Sequence, residues 1–245
     1  MDIEKLKNIF KSYVMEYDLD DTNISRKLYH SFRVMDLSIL LAKHNNLSDR
    51  DIEIATLVGL LHDYARFEQW DKYNTYDDLK SVDHGDLAVE KLFNDNEILK
   101  YSDNIDYYDE IYDAIKYHNK YSYPSYLSDE NKLFCKIIRD ADKLDIFYLL
   151  GINKDLLVDD GNISEKVKKK FYNNELINRS DVNNESDNII LALAMVFDLE
   201  FDYSFKYLYD MKLINKMFDS LDNKVKYEPY FEYIYRYIDK RVNKN

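Results

Sequence analysis

The residues able to do chemistry in this chain are its histidines and the aspartates that share their surroundings. There are five histidines, His30, His44, His62, His84 and His118, and four of them fall within or beside apolar helical patterns. The stretch LLHDYARFEQW, residues 60–70, is the most telling. An apolar run (Leu57, Val58, Leu60, Leu61) ends in the adjacent pair His62-Asp63, and a cation, Arg66, follows. His118 completes the series Ile111, Ala114, Ile115, His118, the i, i+3, i+4, i+7 face of a helix, so it points inward. His30 shares a face with Val34, Leu37 and Leu41, while Asp140, Asp142 and Asp145 lie inside a strongly apolar helix. A lone inward histidine is usually a hydrogen-bonded core residue, and a lone helical aspartate is usually solvated. Several of both turned inward are different, because buried charge must be paired or must bind a metal. Few cations lie on the same faces. Imidazole nitrogen with carboxylate oxygen suits zinc, manganese, iron or nickel rather than calcium, so one or two divalent cations are expected.

Helices must position these groups. Ile3, Leu6, Ile9, Phe10, Tyr13 and Val14 have helical spacing, and SRKLYHSFRVMDLSILLAKH (25–44) reads as one long helix. Ser48 is a predicted N-cap with Asp51 in a capping-box arrangement, starting the helix that leads into His62-Asp63. Residues 64–82 are polar and read as a loop. Another helix begins near Asp83-His84, an amphipathic one covers 106–118, a loop holds Pro124, and LFCKIIRDADKLDIFYLLG (133–151) is a mostly buried helix. Residues 152–188 read as a polar connector with room for a short helix, and helices resume with LALAMVFDLEF and the tail at 203–240. With Gly 4 and Pro 2, breakers are scarce. The expected class is all-α, a helical bundle over 1–150 with a C-terminal helical extension over 151–245 packed on the same domain.

The order His30, His62-Asp63, Asp142 resembles the HD-domain superfamily of metal-dependent phosphohydrolases. That pattern is a His, an adjacent His-Asp pair and a later Asp, all on helices, the last in an Ala-Asp-basic-Leu run. Here that run is Ala141-Asp142-Lys143-Leu144. Periodicity alone leaves Asp140 and Asp142 both open, since Ile137, Asp140, Ala141 and Leu144 also form one face; the resemblance favours Asp142. It implies a metal held by His30, His62, Asp63 and Asp142, the ion being Mn, Fe, Ni, Co, Zn or Mg. His84 and His118 fall where some branches hold a second metal, with Asp63 bridging the two. Asp140 and Asp145 are then either carboxylates that orient a ligand or helix-surface residues. Arg66 takes the cationic position that meets substrate phosphate in related proteins. Lys143 and Arg33 are further candidates for that contact, and Glu68 is a candidate to bind water or brace Arg66. The segments RFEQ, VDHGDLAVE, IKYHNK and IIRDADKLDIF look like one bacterial branch of HD hydrolases, and the resemblance spans roughly residues 20–150. It departs from the cyclic-di-GMP phosphodiesterase branch, because Asn119 follows His118 and no Gly-Tyr-Pro signature appears. It departs from the stringent-response branch too, where an acidic pair stands in place of Tyr64-Ala65-Arg66.

The function implied is hydrolysis of a small phosphorylated compound, with a nucleotide foremost, by metal-activated water, and with Asp63 and Arg66 at the reaction centre. Two other classes are weighed against it. One is a sensor that binds a nucleotide at the metal pocket without turnover. The other is a partner-binding helical protein whose histidines are core residues and whose Tyr-rich tail at 203–238 forms a homodimer face. The net charge of −13 repels nucleic-acid backbones and anionic membranes, but a metal and a few cations reverse the potential locally for a small phosphate. No nucleic-acid or membrane partner is expected. The single Cys135 excludes an internal disulfide and reads as inert packing, and MDIEKLKNIF is no signal peptide. A cytoplasmic protein is the expectation.

Overall fold

Short acidic and polar side chains fix where the helices begin. In a computed structural model that describes residues 1–243, Asp2 caps α1 (Ile3–Val14) by accepting from the Lys5 amide. Asp21 caps α2 (Thr22–His44) through the Asn23 amide. Ser48 starts α3 (Asp49–Leu61) with the capping box read from the sequence: its side chain accepts from the Asp51 amide, and the Asp51 carboxylate accepts from the Ser48 amide. Four helices follow: α4 (Arg66–Tyr73), α5 (His84–Val89) capped by Asp83, α6 (Tyr108–Tyr117) and α7 (Asp129–Ile152). Beyond them come α8 (Glu165–Tyr172), α9 (Glu185–Ala194), α10 (Asp202–Asp210), α11 (Leu213–Asp219) and α12 (Lys224–Val242). The described residues contain no strand, and the fold is all-α as the periodicity predicts.

The chain divides into two compact units, residues 1–141 and residues 142 onward, with the division inside α7. In the first unit α2 and α3 pack along much of their length. Their fully buried side chains include Val34, Met35, Leu41, Leu57, Leu60 and Leu61, joined by Phe10, Tyr64 and Phe67. Gly59 permits the closest approach. A Cβ there would stand 2.7 Å from both the Met35 Cα and the Ser38 Oγ, so only a residue without a side chain fits the crossing. Gly59 lies one turn before His62, and Met35 lies little more than a turn beyond His30. The crossing therefore fixes the distance between the two histidines.

In the second unit Phe171, Phe205, Tyr227 and Phe231 are buried, and Tyr172 stacks on Tyr230 with ring centroids 5.5 Å apart. The polar stretch 152–188 is organised by its own carboxylates. Asp160 accepts from the Glu185 amide at 2.8 Å at the start of α9, and Asp187 accepts from both the amide and the hydroxyl of Ser164. Its short helix is α8.

The sequence reading differs from the structure in two segments. Residues 64–82 are not all loop, because α4 lies within them. The member of α4 that turns inward beside Phe67 is polar: Gln69 is fully buried, and its amide donates to Asp78, Ser81 and the Val82 carbonyl. An apolar count cannot see such a helix. LALAMVFDLEF is likewise not continuous helix. α9 ends at Ala194, a tight turn covers Met195–Asp198, and Leu199 is extended with ψ 131°.

Gly59→Ala is expected to lower the unfolding free energy by about 1–3 kcal/mol, as overpacked sites do, although alanine is intrinsically the better helix former. A urea titration reads the change. An unaltered midpoint would mean that α2 and α3 separate without cost.

Candidate metal centre

The side chains of His30 on α2, His62 at the end of α3, Asp63, His84 at the start of α5 and His118 at the end of α6 converge within the first unit. All are buried, with exposures of 2%, 0%, 2%, 2% and 6%. They form two trios that share Asp63. In the first, His30 Nε2 and His62 Nε2 are 3.3 Å apart and lie 3.4 and 3.5 Å from Asp63 Oδ2. In the second, His84 Nε2 and His118 Nε2 are 2.9 Å apart and lie 3.5 and 3.8 Å from Asp63 Oδ1. In each triangle the point equidistant from the three atoms lies about 2 Å from each, the length of a zinc–nitrogen or zinc–oxygen bond. Each oxygen of one carboxylate thus serves a different trio.

Hydrogen bonding at the far side of three of the rings settles which nitrogen faces inward. His62 Nδ1 lies 2.9 Å from the Gly59 carbonyl, and His118 Nδ1 lies 2.6 Å from the Ile115 carbonyl. A carbonyl only accepts, so both Nδ1 atoms carry the proton and donate it. His84 Nδ1 donates to the Asp78 carboxylate at 2.7 Å. Burial works against the charge on Asp78, but the His84 contact and the Arg66 guanidinium hold its carboxyl well below the usual range. Neutral imidazoles with Nδ1 protonated turn lone pairs inward at Nε2. Two such lone pairs 2.9 Å apart, on His84 and His118, repel unless a cation lies against them. A proton does not fill that role readily, since burial, and then the charge of Arg66, pushes His84 down to about 3. The donor set therefore fits divalent metal. Asp63 is also anionic: burial opposes its charge, but the Lys27 ammonium and the neighbouring imidazoles hold it well below the ordinary carboxylate range.

Several supporting residues are absent from the sequence reading. Asp78 is the hub behind His84. It accepts from Arg66 at 3.0 Å, Gln69 at 2.9 Å and Asn119 at 3.0 Å. Asn119 also donates to Asp83, the cap of α5, and reaches His84 because Gly85 has no Cβ, which would stand 2.7 Å from its Oδ1. Arg139, itself buried, donates to the carbonyls of His118, Lys120 and Tyr121 and pins the end of α6. Lys27 donates to Asp63 Oδ2 at 2.6 Å. Its signal was its place three residues before His30, on the same helical face. Asp78 lay in a polar stretch with no period to mark it.

The remaining sequence candidates fall as follows. Arg66 begins α4, with Nε 3.4 Å from Asp63 Oδ1 and Nη1 bonded to Gln69, the Tyr76 carbonyl and Asp78. Glu68 does not brace Arg66; its carboxylate is taken by Lys72 at 2.5 Å and by Lys91. Lys143 is buried and paired with Asp198 at 2.7 Å, so its charge is already answered. Arg33 is half-buried on α2, and Asp140 is fully buried on α7. Asp142, half-buried, and Asp145, buried, belong to the part of α7 in the second unit. His44 is exposed at the end of α2 and outside both trios. Cys135 is buried, and burial pushes its thiol up to about 12. No helix among the described residues is long and apolar enough to cross a membrane.

The family model for the HD domain matches residues 28–146, a span that holds His30, His62, Asp63, His84, His118 and Asp142. No curated protein and no solved structure matches the chain.

Manganese titration followed by elemental analysis is expected to give two ions per chain and one in His118→Ala. Asp78→Asn is expected to weaken one of the two sites by about 10- to 100-fold, the usual cost of losing a carboxylate behind a metal-binding histidine. Calorimetry separates the two affinities, and equal affinities in wild type and Asp78→Asn would remove Asp78 from the site's support.

Proposed function

The chain carries an HD domain on residues 28–146, and from that premise we propose that it is a metal-dependent phosphohydrolase acting on a small phosphorylated compound, with nucleotides the class to test first. HD domains are mostly metal-dependent hydrolases, and the observation that carries the reading here is the shared carboxylate of Asp63, one oxygen toward each buried imidazole pair. His30, His62 and Asp63 would hold one ion, with Asp142 as their proposed fourth ligand from the family pattern. His84, His118 and Asp63 would hold the other. Bound there, divalent ions of the Mn, Fe, Ni, Co, Zn or Mg group supply Lewis acidity toward a phosphoryl oxygen and lower the pKa of water toward neutrality.

The chain's own side chains do the rest. Asp63 sets the spacing of the two sites and keeps its charge between them. The Gly59 and Ile115 carbonyls and the Asp78 carboxylate hold three imidazoles in the tautomer that presents Nε2. Arg66 stands beside Asp63 Oδ1 with Nη1 already committed, while Nη2 makes no hydrogen bond among the described residues and is available to a phosphate oxygen. Arg33, one turn beyond His30, is a second proposed contact. No side chain need act as a covalent nucleophile: Cys135 is held as a buried thiol, and no serine lies among the metal-facing groups.

Phosphate release from a nucleotide panel with added Mn, Mg, Ni or Co is the test. Wild type is expected to release phosphate with metal and not with chelator, and Asp63→Ala to lose more than about 100-fold, at least the cost of losing a supporting residue. Metal bound at full stoichiometry with no turnover of any compound would turn the reading to a nucleotide-sensing module; no bound metal would sink it.

A further inference from the structure

The cations around Asp63 outnumber what that carboxylate needs. Lys27 Nζ is 2.6 Å from Oδ2, on the side of the His30–His62 pair, and Arg66 Nε is 3.4 Å from Oδ1, on the side of the His84–His118 pair. Arg66 has a second anion in Asp78. Lys27 has none: among the described residues, Asp63 is the one carboxylate within ion-pair distance of it. Once Asp63 shares its charge with divalent ions, the ammonium of Lys27 is left without an answering charge from the protein. It is also the more accessible of the two cations, with 20% of its side chain exposed against 14% for Arg66.

Both cations are held in place by one aromatic ring. Lys27 Nζ lies 5.5 Å and Arg66 Cζ 5.6 Å from the centroid of Tyr76. Tyr76 is itself fixed, since its hydroxyl donates to the Asn23 carbonyl and its ring leans on Trp70 at 4.8 Å. A lysine on a flexible stem ordinarily loses entropy when it is ordered. Here the ring and Asp63 have already ordered it, which suits a group that must meet a ligand rather than merely decorate a surface.

We propose that Lys27 is a substrate-binding residue that, with Arg66, grips the phosphoryl group at the metal centre, and that this group is a terminal phosphate rather than a diester. The proposal rests on the phosphohydrolase reading. A terminal phosphoryl group carries up to two negative charges and three non-bridging oxygens, against one charge and two such oxygens in a diester. Two side-chain cations placed on opposite edges of the shared carboxylate, in addition to the metal positions, match the larger number of both.

The test uses the manganese-loaded chain with inorganic phosphate and dimethyl phosphate as probes, read by calorimetry, in wild type, Lys27→Met and Lys27→Arg. Wild type is expected to bind phosphate more tightly than dimethyl phosphate. Lys27→Met should weaken phosphate binding by about tenfold or more, as for a lost charge-assisted contact, at unchanged manganese stoichiometry, and Lys27→Arg should restore most of it. Phosphate binding equal in Lys27→Met and wild type would overturn the role of Lys27 alone. So would loss of manganese from Lys27→Met, which would make Lys27 a support of the ligands. Equal or tighter binding of dimethyl phosphate by wild type would overturn the terminal-phosphate assignment. Wild type that holds manganese but binds neither probe, and releases no phosphate from the nucleotide panel, would overturn the phosphohydrolase reading and this proposal with it.

Discussion

Asp63 presents one oxygen to each of two imidazole pairs while only 3% of its side chain reaches solvent. Removing a carboxylate from water costs several kcal/mol even after the protein relaxes. Lys27 and Arg66 offset part of that cost, one at each oxygen. They do nothing for the three Nε2 lone pairs of His62, His84 and His118 that face the same space. Those lone pairs, together with the anion, set a requirement that a divalent ion at each trio would meet. Everything else in the first unit can be understood as holding that arrangement still.

The two trios are held by different means. The first depends on helix packing: α2 and α3 approach to the limit that Gly59 allows, and the Gly59 carbonyl then fixes the ring of His62. Backbone atoms of a buried helix pair have little freedom, and the three sides of that triangle are correspondingly even, 3.3 to 3.5 Å. The second depends on side chains. Asp78, Asn119 and Gln69 form the lattice behind His84, while the Ile115 carbonyl and Arg139 hold the end of α6. Its sides run from 2.9 to 3.8 Å.

That division explains what the sequence disclosed. Helices α2, α3, α6 and α7 and the inward turn of His30, His62 and His118 were legible because apolar neighbours at helical spacing mark the buried face. The Ser48–Asp51 capping box was legible because capping has a local signature. Helix α4 was not, because its buried residue Gln69 is polar and counts as surface in any apolar pattern. Asp78 was invisible for the same reason: its partners lie at residues 66, 69, 84 and 119, and no local spacing encodes a contact made by a loop. The members of the two trios came from family resemblance and helical phase together. The residues that hold them in place are set by tertiary contacts that neither reveals.

Asn119 shows how a departure from a family pattern acquires a physical role. The cyclic-di-GMP phosphodiesterase pattern has a second histidine after the one that His118 resembles, and in this sequence asparagine stands there. In the structure the asparagine amide bridges Asp78 and Asp83, joining the carboxylate that orients His84 to the residue that caps its helix. An imidazole has one ring nitrogen on each side and cannot present a two-proton amide edge to two carboxylates at once. At this position the chain therefore carries a brace between the two carboxylates. The second trio is two histidines and one carboxylate oxygen, and Asn119 links the two supports of the first of those histidines.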